Sequence, residues 1–85
     1  MSNDVCRIQF SSEKPLNLNI EPIGHIEPIK AGDEITIEYQ DIRDSGGSYL
    51  WPLIDILKDG DIMITIASAN LRASINGRAF LEYWG

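Results

Sequence analysis

The sequence predicts a small α+β domain, with five to six mostly antiparallel strands in one sheet and a short helix near residues 49–59. Two patterns carry this prediction. Apolar and polar residues alternate with a period of two along most of the chain, which is typical of strands that bury one face. Between residues 50 and 57, apolar residues instead recur with the spacing of one helix face. An all-β sandwich or barrel is the alternative if residues 50–57 are extended.

Four stretches of alternation predict strands before the C-terminal hairpin. Their apolar positions are Cys6, Ile8 and Phe10; Leu16, Leu18 and Ile20; Ile35, Ile37 and Tyr39; and Ile62, Ile64 and Ile66. In the last stretch even the intervening residues are only weakly polar. That composition predicts a central strand.

Two sequence signals predict how the sheet is completed. The dipeptide Asn76-Gly77 suits a type I′ hairpin turn, because both of its central residues need positive φ. With a two-residue loop, Ile75 is expected to face Arg78 and Ala73 to face Phe80. The tetrapeptide Ile-Glu-Pro-Ile occurs at 20–23 and again at 26–29, and each proline removes a backbone donor. This region is therefore expected at a sheet edge or in a crossing segment.

The helix prediction depends on Leu50, Leu53, Ile54 and Leu57, which occur at positions i, i+3, i+4 and i+7. Ser48 suits the N-cap and Gly60 the C-terminal end of such a helix. Pro52 would fall in the first turn, where proline is tolerated.

Length and cysteine content predict one cytoplasmic domain spanning residues 1–85. A chain of 85 residues suits a single small domain. Cys6 is the only cysteine, so no intramolecular disulfide forms. Secreted domains of this size usually contain several disulfides. The N-terminus lacks the features of a signal peptide. No apolar run approaches the length of a membrane span, so no membrane association is expected.

The charge distribution argues against nucleic acid as a partner. The net charge is −6, and residues 1–42 hold eight acids against three bases. Such a region repels a phosphate backbone and favours a basic protein partner.

No catalytic, metal-binding or cofactor-binding motif emerges from the remaining residues. His25 is the only histidine, so a zinc site would lack its usual ligands. Asp59 and Asp61 flank Gly60 but lack the spaced ligand set of a calcium loop. The sequence therefore predicts a protein that is not an enzyme and holds neither metal nor cofactor.

These observations favour a non-catalytic, acidic protein-binding module, such as an inhibitor or immunity-type factor for a basic partner. The acidic residues expected to face that partner are Glu21, Glu27, Glu34, Glu38 and Asp41. Tyr83 and Trp84 are candidate interface aromatics, because both residue types are frequent interface anchors. A homo-oligomeric structural or accessory protein is one alternative. A small-ligand-binding domain or minimal enzyme is another.

Overall fold

The computed structural model describes residues 5–40, 52–68 and 70–84, and every regular element in them is a β-strand. The strands are β1 (Val5–Ser11), β2 (Leu16–Glu21), β3 (His25–Ile29), β4 (Glu34–Gln40), β5 (Leu53–Ile56), β6 (Ile62–Thr65), β7 (Leu71–Ile75) and β8 (Arg78–Tyr83). They form two four-stranded sheets. Sheet I has the order β1-β4-β7-β8, and sheet II has the order β3-β2-β6-β5. No helix in the described ranges is long and apolar enough to cross a membrane.

The predicted α+β fold with a helix near 49–59 is wrong, and the all-β alternative fits. Residues 53–56 form β5, which pairs antiparallel with β6. Residues 49–51 lie outside the described residues. The apolar spacing at 50, 53, 54 and 57 satisfies a helix face, but pairing with β6 supplies the backbone hydrogen bonds instead. A strand of four residues is too short to show the alternation that distinguishes it from a helix. The described residues also hold eight strands, where five to six were predicted.

The core is built from the inward-facing positions of both sheets. Its buried members are Leu18, Ile20, Ile29, Ile35, Ile37, Ile64, Ile66, Leu71, Ala73 and Leu81. Because residues of sheets I and II share this cluster, the two sheets pack face to face. The alternation in the sequence had predicted most of these positions.

The order of strands in sheet II explains two features of the sequence. Strand β6 lies between β2 and β5, the interior position that its weakly polar residues predicted. Its pairing with β2 is the one parallel pairing among the described strands. Strand β3, which holds the second Ile-Glu-Pro-Ile repeat, is an edge strand, as its proline predicted.

The β7–β8 hairpin has the predicted turn but a different register further along. Asn76 and Gly77 have φ values of 51° and 83°, and Ile75 lies opposite Arg78 as expected. A bulge at Ala73/Ser74 then shifts the pairing, so that Ala73 faces Leu81 instead of Phe80. The shift places the apolar side chain of Leu81 in the core, where it is 8% exposed.

Candidate functional site

The structure divides the predicted acidic face between the two sheets. Glu34 and Glu38 lie on β4 of sheet I, whereas Glu21 and Glu27 lie on β2 and β3 of sheet II. Asp41 lies outside the described residues. The four described acids therefore do not share one sheet.

Glu38 belongs to a row of alternating charges across sheet I. The row consists of Arg7, Glu38, Arg72 and Glu82, which lie opposite one another on the four neighbouring strands. The closest nitrogen–oxygen distance is 3.4 Å both from Arg7 to Glu38 and from Arg72 to Glu82. The negative charge of Glu38 is thus balanced locally by cations of its own sheet.

Glu27 contacts His25, and the His25 ring in turn connects the edges of the two sheets. Oε1 of Glu27 lies 2.8 Å from Nε2 of His25, two residues earlier on the same strand. The His25 ring stacks on Phe80 of β8, with centroids 5.6 Å apart and an interplanar angle of 28°. His25 therefore packs between a carboxylate of sheet II and an aromatic ring of sheet I.

A cleft of about 450 Å³ lies beside this contact, between β3 with its following turn and the β7–β8 hairpin. Its volume is within the usual range for small-ligand sites. The residues that give it chemical character are Glu27, Lys30, Asp33, Asn76, Arg78 and Phe80. The cleft thus combines charges of both signs with an aromatic surface.

Hydrogen bonds between two turns fix one end of the cleft. Oδ2 of Asp33 accepts from the backbone N–H of Lys30 at 2.9 Å, and Oδ1 accepts from Nδ2 of Asn76 at 3.0 Å. These bonds hold the pKa of the Asp33 carboxyl below its usual value of 3.8, aided by the positive charge of Lys30. Asn76 also exchanges hydrogen bonds with the backbone of Glu34, accepting through Oδ1 at 2.9 Å and donating from its own N–H at 2.8 Å.

The two cations of the cleft differ from its two carboxylates in their bonding. Within the described part of the chain, no ion pair or hydrogen bond engages the side chain of Lys30 or of Arg78. Both residues are exposed. Their positive charges are therefore available to a ligand.

Strand β5 and Leu57, the residue after it, form the second surface of interest, because their apolar side chains are exposed at the edge of sheet II. Leu53, Ile54, Ile56 and Leu57 are 63%, 54%, 79% and 37% exposed. Ile54 lies opposite Ile64, a core residue, so it lies on the inner face of the sheet. The apolar inner face of sheet II thus continues from the core to solvent.

Tyr83 and Trp84 lie at the other edge of the fold, at the end of β8. Tyr83 is opposite Leu71 and is 52% exposed. Trp84 is 39% exposed, and its ring centroid lies 5.6 Å from the guanidinium carbon of Arg72, at cation–π distance. Neither aromatic residue is buried in the core. Their role in an interface stays a prediction.

Sequence reasoning missed both the cleft and the exposed β5 edge. The cleft residues come from positions 27–33 and 75–80, and no periodicity indicates that β3 with its following turn meets the distant β7–β8 hairpin. The helix predicted over residues 49–59 left the edge strand β5 unpredicted. The described residues hold no group of three or more His, Cys, Asp or Glu side chains placed to bind a metal ion. Comparisons with protein-family models, curated proteins and solved structures find no match.

Proposed function

We propose that this chain is a non-catalytic protein-binding module, and that β5 is the strand that recognises its partner. One observation carries the proposal: edge strand β5 of sheet II exposes three large apolar side chains, and Leu57 directly after it exposes a fourth. Folded proteins usually protect such edges with charges, prolines or a covering segment, because an open edge pairs readily with other chains. A strand of a partner protein that pairs with this open edge would form a specific interface with it.

The backbone geometry favours addition of a strand over other modes of binding. Strand β5 pairs with β6 on one side, and no described strand pairs with its outer edge. Its outward N–H and C=O groups can pair with an extended segment, as in β-augmentation. Side chains from alternate positions of that segment would lie beside Ile54 and Ile56 and extend the core face of sheet II.

The charges near β5 favour a partner segment of a particular chemistry. Asp55 is the one charged residue within the strand, and it is exposed. We expect the partner to offer an extended apolar segment with a lysine or arginine near Asp55. The net charge of −6 would accelerate encounter with a basic protein. An inhibitor or immunity-type factor acting in the cytoplasm would work in this way, because pairing of β5 with an extended segment of a basic enzyme would block that segment.

The experiment compares two variants that add the same charge at different places. Ile56→Lys places a cation on β5, at a position that is 79% exposed. Gln9→Lys places a cation at an exposed position of β1 in sheet I. A partner captured from native lysate by the wild-type protein and by Gln9→Lys, but lost with Ile56→Lys, is then tested by hydrogen exchange. Protection of amides 53–57 in the purified complex is the expected result.

Two outcomes contradict the proposal. In the first, wild type and Ile56→Lys capture the same proteins, or neither captures any protein. The second is a wild-type dimer in light scattering that Ile56→Lys converts to a monomer. That result would show a second copy of this chain at β5 and would support the homo-oligomeric alternative.

A further inference from the structure

We propose that the cleft between β3 and the β7–β8 hairpin binds a small organic anion, namely a planar ring that bears a phosphate or carboxylate group. In this site Lys30 and Arg78 bind the anionic group, and Phe80 contacts the ring. The inference is independent of the proposed role of β5, which lies at the opposite edge of sheet II from β3.

The hydrogen-bond pattern of the cleft favours a negatively charged ligand. Both carboxylates of the cleft already have partners, since Glu27 contacts His25 and Asp33 accepts two hydrogen bonds. The side chains of Lys30 and Arg78 have no ion pair or hydrogen bond among the described residues, although the charge of Lys30 acts on Asp33 through space. A ligand that supplies acceptor oxygens can form ion pairs with both of these exposed cations, whereas a cationic ligand would compete with the existing contacts of the carboxylates. Arg78 in particular can engage two oxygens of one phosphate or carboxylate group.

The same carboxylates explain why the ligand needs a ring as well as a charge. Glu27 and Asp33 oppose the field of the two cations, so a bare anion gains little net attraction. Phe80 lines the cleft and is held by its stack on His25. Contact with this fixed aromatic surface adds affinity for a ring without an added charge. A cleft of about 450 Å³ has room for both parts of such a molecule.

The backbone segments that carry the two cations are also joined before a ligand arrives. Arg78 directly follows the turn at Asn76 and Gly77, and Lys30 precedes Asp33 by three residues. The hydrogen bond between Asn76 and Asp33 joins these two turns, so it sets the separation of the backbones that hold the two cations. Preorganisation of this kind lowers the entropic cost of binding.

The test is a titration of the ¹⁵N-labelled protein with phenyl phosphate, followed by amide chemical shifts. Benzylamine provides the same ring with the opposite charge, and inorganic phosphate provides the anion without the ring. We expect phenyl phosphate to shift the amides of residues 27, 29–33 and 75–80. Inorganic phosphate should bind more weakly at the same amides, and benzylamine should leave them unchanged. Arg78→Gln and Lys30→Gln should each weaken binding about tenfold, as expected for one charge-assisted contact. Lys58→Gln, in the β5–β6 turn, should leave it unchanged.

Several results would overturn the inference. These are shifts centred outside the two segments, equal shifts with benzylamine, unchanged affinity in Arg78→Gln, or no shift up to about 10 mM phenyl phosphate, a range that detects even millimolar binding. The spectrum of each variant reports its own folding, so a lost titration is not confused with a lost fold. Failure here would leave the capture experiment on β5 unaffected, because the two surfaces share no residue.

Discussion

The side-chain amide of Asn76 donates a hydrogen bond to Oδ1 of Asp33 at 3.0 Å, and it thereby joins the turn of the β7–β8 hairpin to the β3–β4 connection between the two sheets, 43 residues earlier in sequence. The same side chain accepts from the backbone of Glu34. Asn76 also has a φ of 51°, a conformation that most residues adopt only with strain. Asn76 therefore shapes the turn of its own hairpin and also ties that hairpin to the β3–β4 connection.

Asn76→Ala should lower the free energy of unfolding by about 1–3 kcal/mol, because alanine adds backbone strain at positive φ and removes the side-chain hydrogen bonds. Urea denaturation measures the loss. Asn76→Gly is the matched control, since glycine keeps the backbone conformation and removes only the side chain. A loss as large in Asn76→Gly as in Asn76→Ala would show that backbone strain is not part of the effect.

The lowered pKa of Asp33 predicts a specific pH dependence of stability. Because the folded-state pKa lies below 3.8, the ionised carboxylate stabilises the folded state above the unfolded pKa, and this contribution is lost as pH falls through the folded pKa. Asp33→Asn should therefore be less stable than wild type at pH 6. The difference should narrow as pH falls below about 3.8. Denaturation of both proteins at a series of pH values tests this, and a difference independent of pH contradicts it.

Much of the fold follows from local patterns in the sequence. Alternation located the inward residues of the strands that form the core, and Asn76-Gly77 located the turn between β7 and β8. These features depend on residues close in sequence, where side-chain period and φ preference act directly. The proline in β3 likewise predicted an edge position, because a missing N–H is tolerated there.

The errors arise where distant residues decide the structure. Residues 53–56 are extended because β6 lies beside them, and no local pattern reports that neighbour. The bulge at Ala73/Ser74 places Leu81 in the core. Burial of this side chain depends on packing against the other sheet, which no local pattern reports. The cleft is the clearest example, since it forms only when the β7–β8 hairpin meets the turn after β3.

The same substitution, isoleucine to valine, should lower stability in the core and have little effect on stability at the exposed edge. Ile37 is 0% exposed and Ile56 is 79% exposed. Ile37→Val should cost about 0.5–1.5 kcal/mol of unfolding free energy, because it removes a buried methylene and leaves a small cavity. Ile56→Val should change stability by less than about 0.5 kcal/mol, as surface substitutions usually do. Similar losses at both positions would show that β5 is covered in solution.

The charged row on sheet I predicts a weak, salt-sensitive coupling between Arg7 and Glu38. Their closest nitrogen and oxygen atoms are 3.4 Å apart, and the Arg7 side chain is 58% exposed. A double-mutant cycle with Arg7→Gln and Glu38→Gln should give a coupling energy of about 0.2–1 kcal/mol at low salt. Because ions screen exposed charges, the coupling should decrease near 1 M salt. A coupling that does not change with salt would show a contact other than an ion pair.

Glu34 offers the clearest test of the predicted acidic face, because it is exposed, whereas Glu38 is already paired within sheet I. If its charge steers a basic partner, Glu34→Lys should slow association a few-fold at low salt and leave dissociation nearly unchanged. Stopped-flow or surface-binding kinetics with the captured partner measure both rates. Glu13→Lys changes the net charge equally at an exposed position between β1 and β2. A larger effect at Glu34 would support a localised acidic face, and equal effects would show that net charge alone sets the association rate.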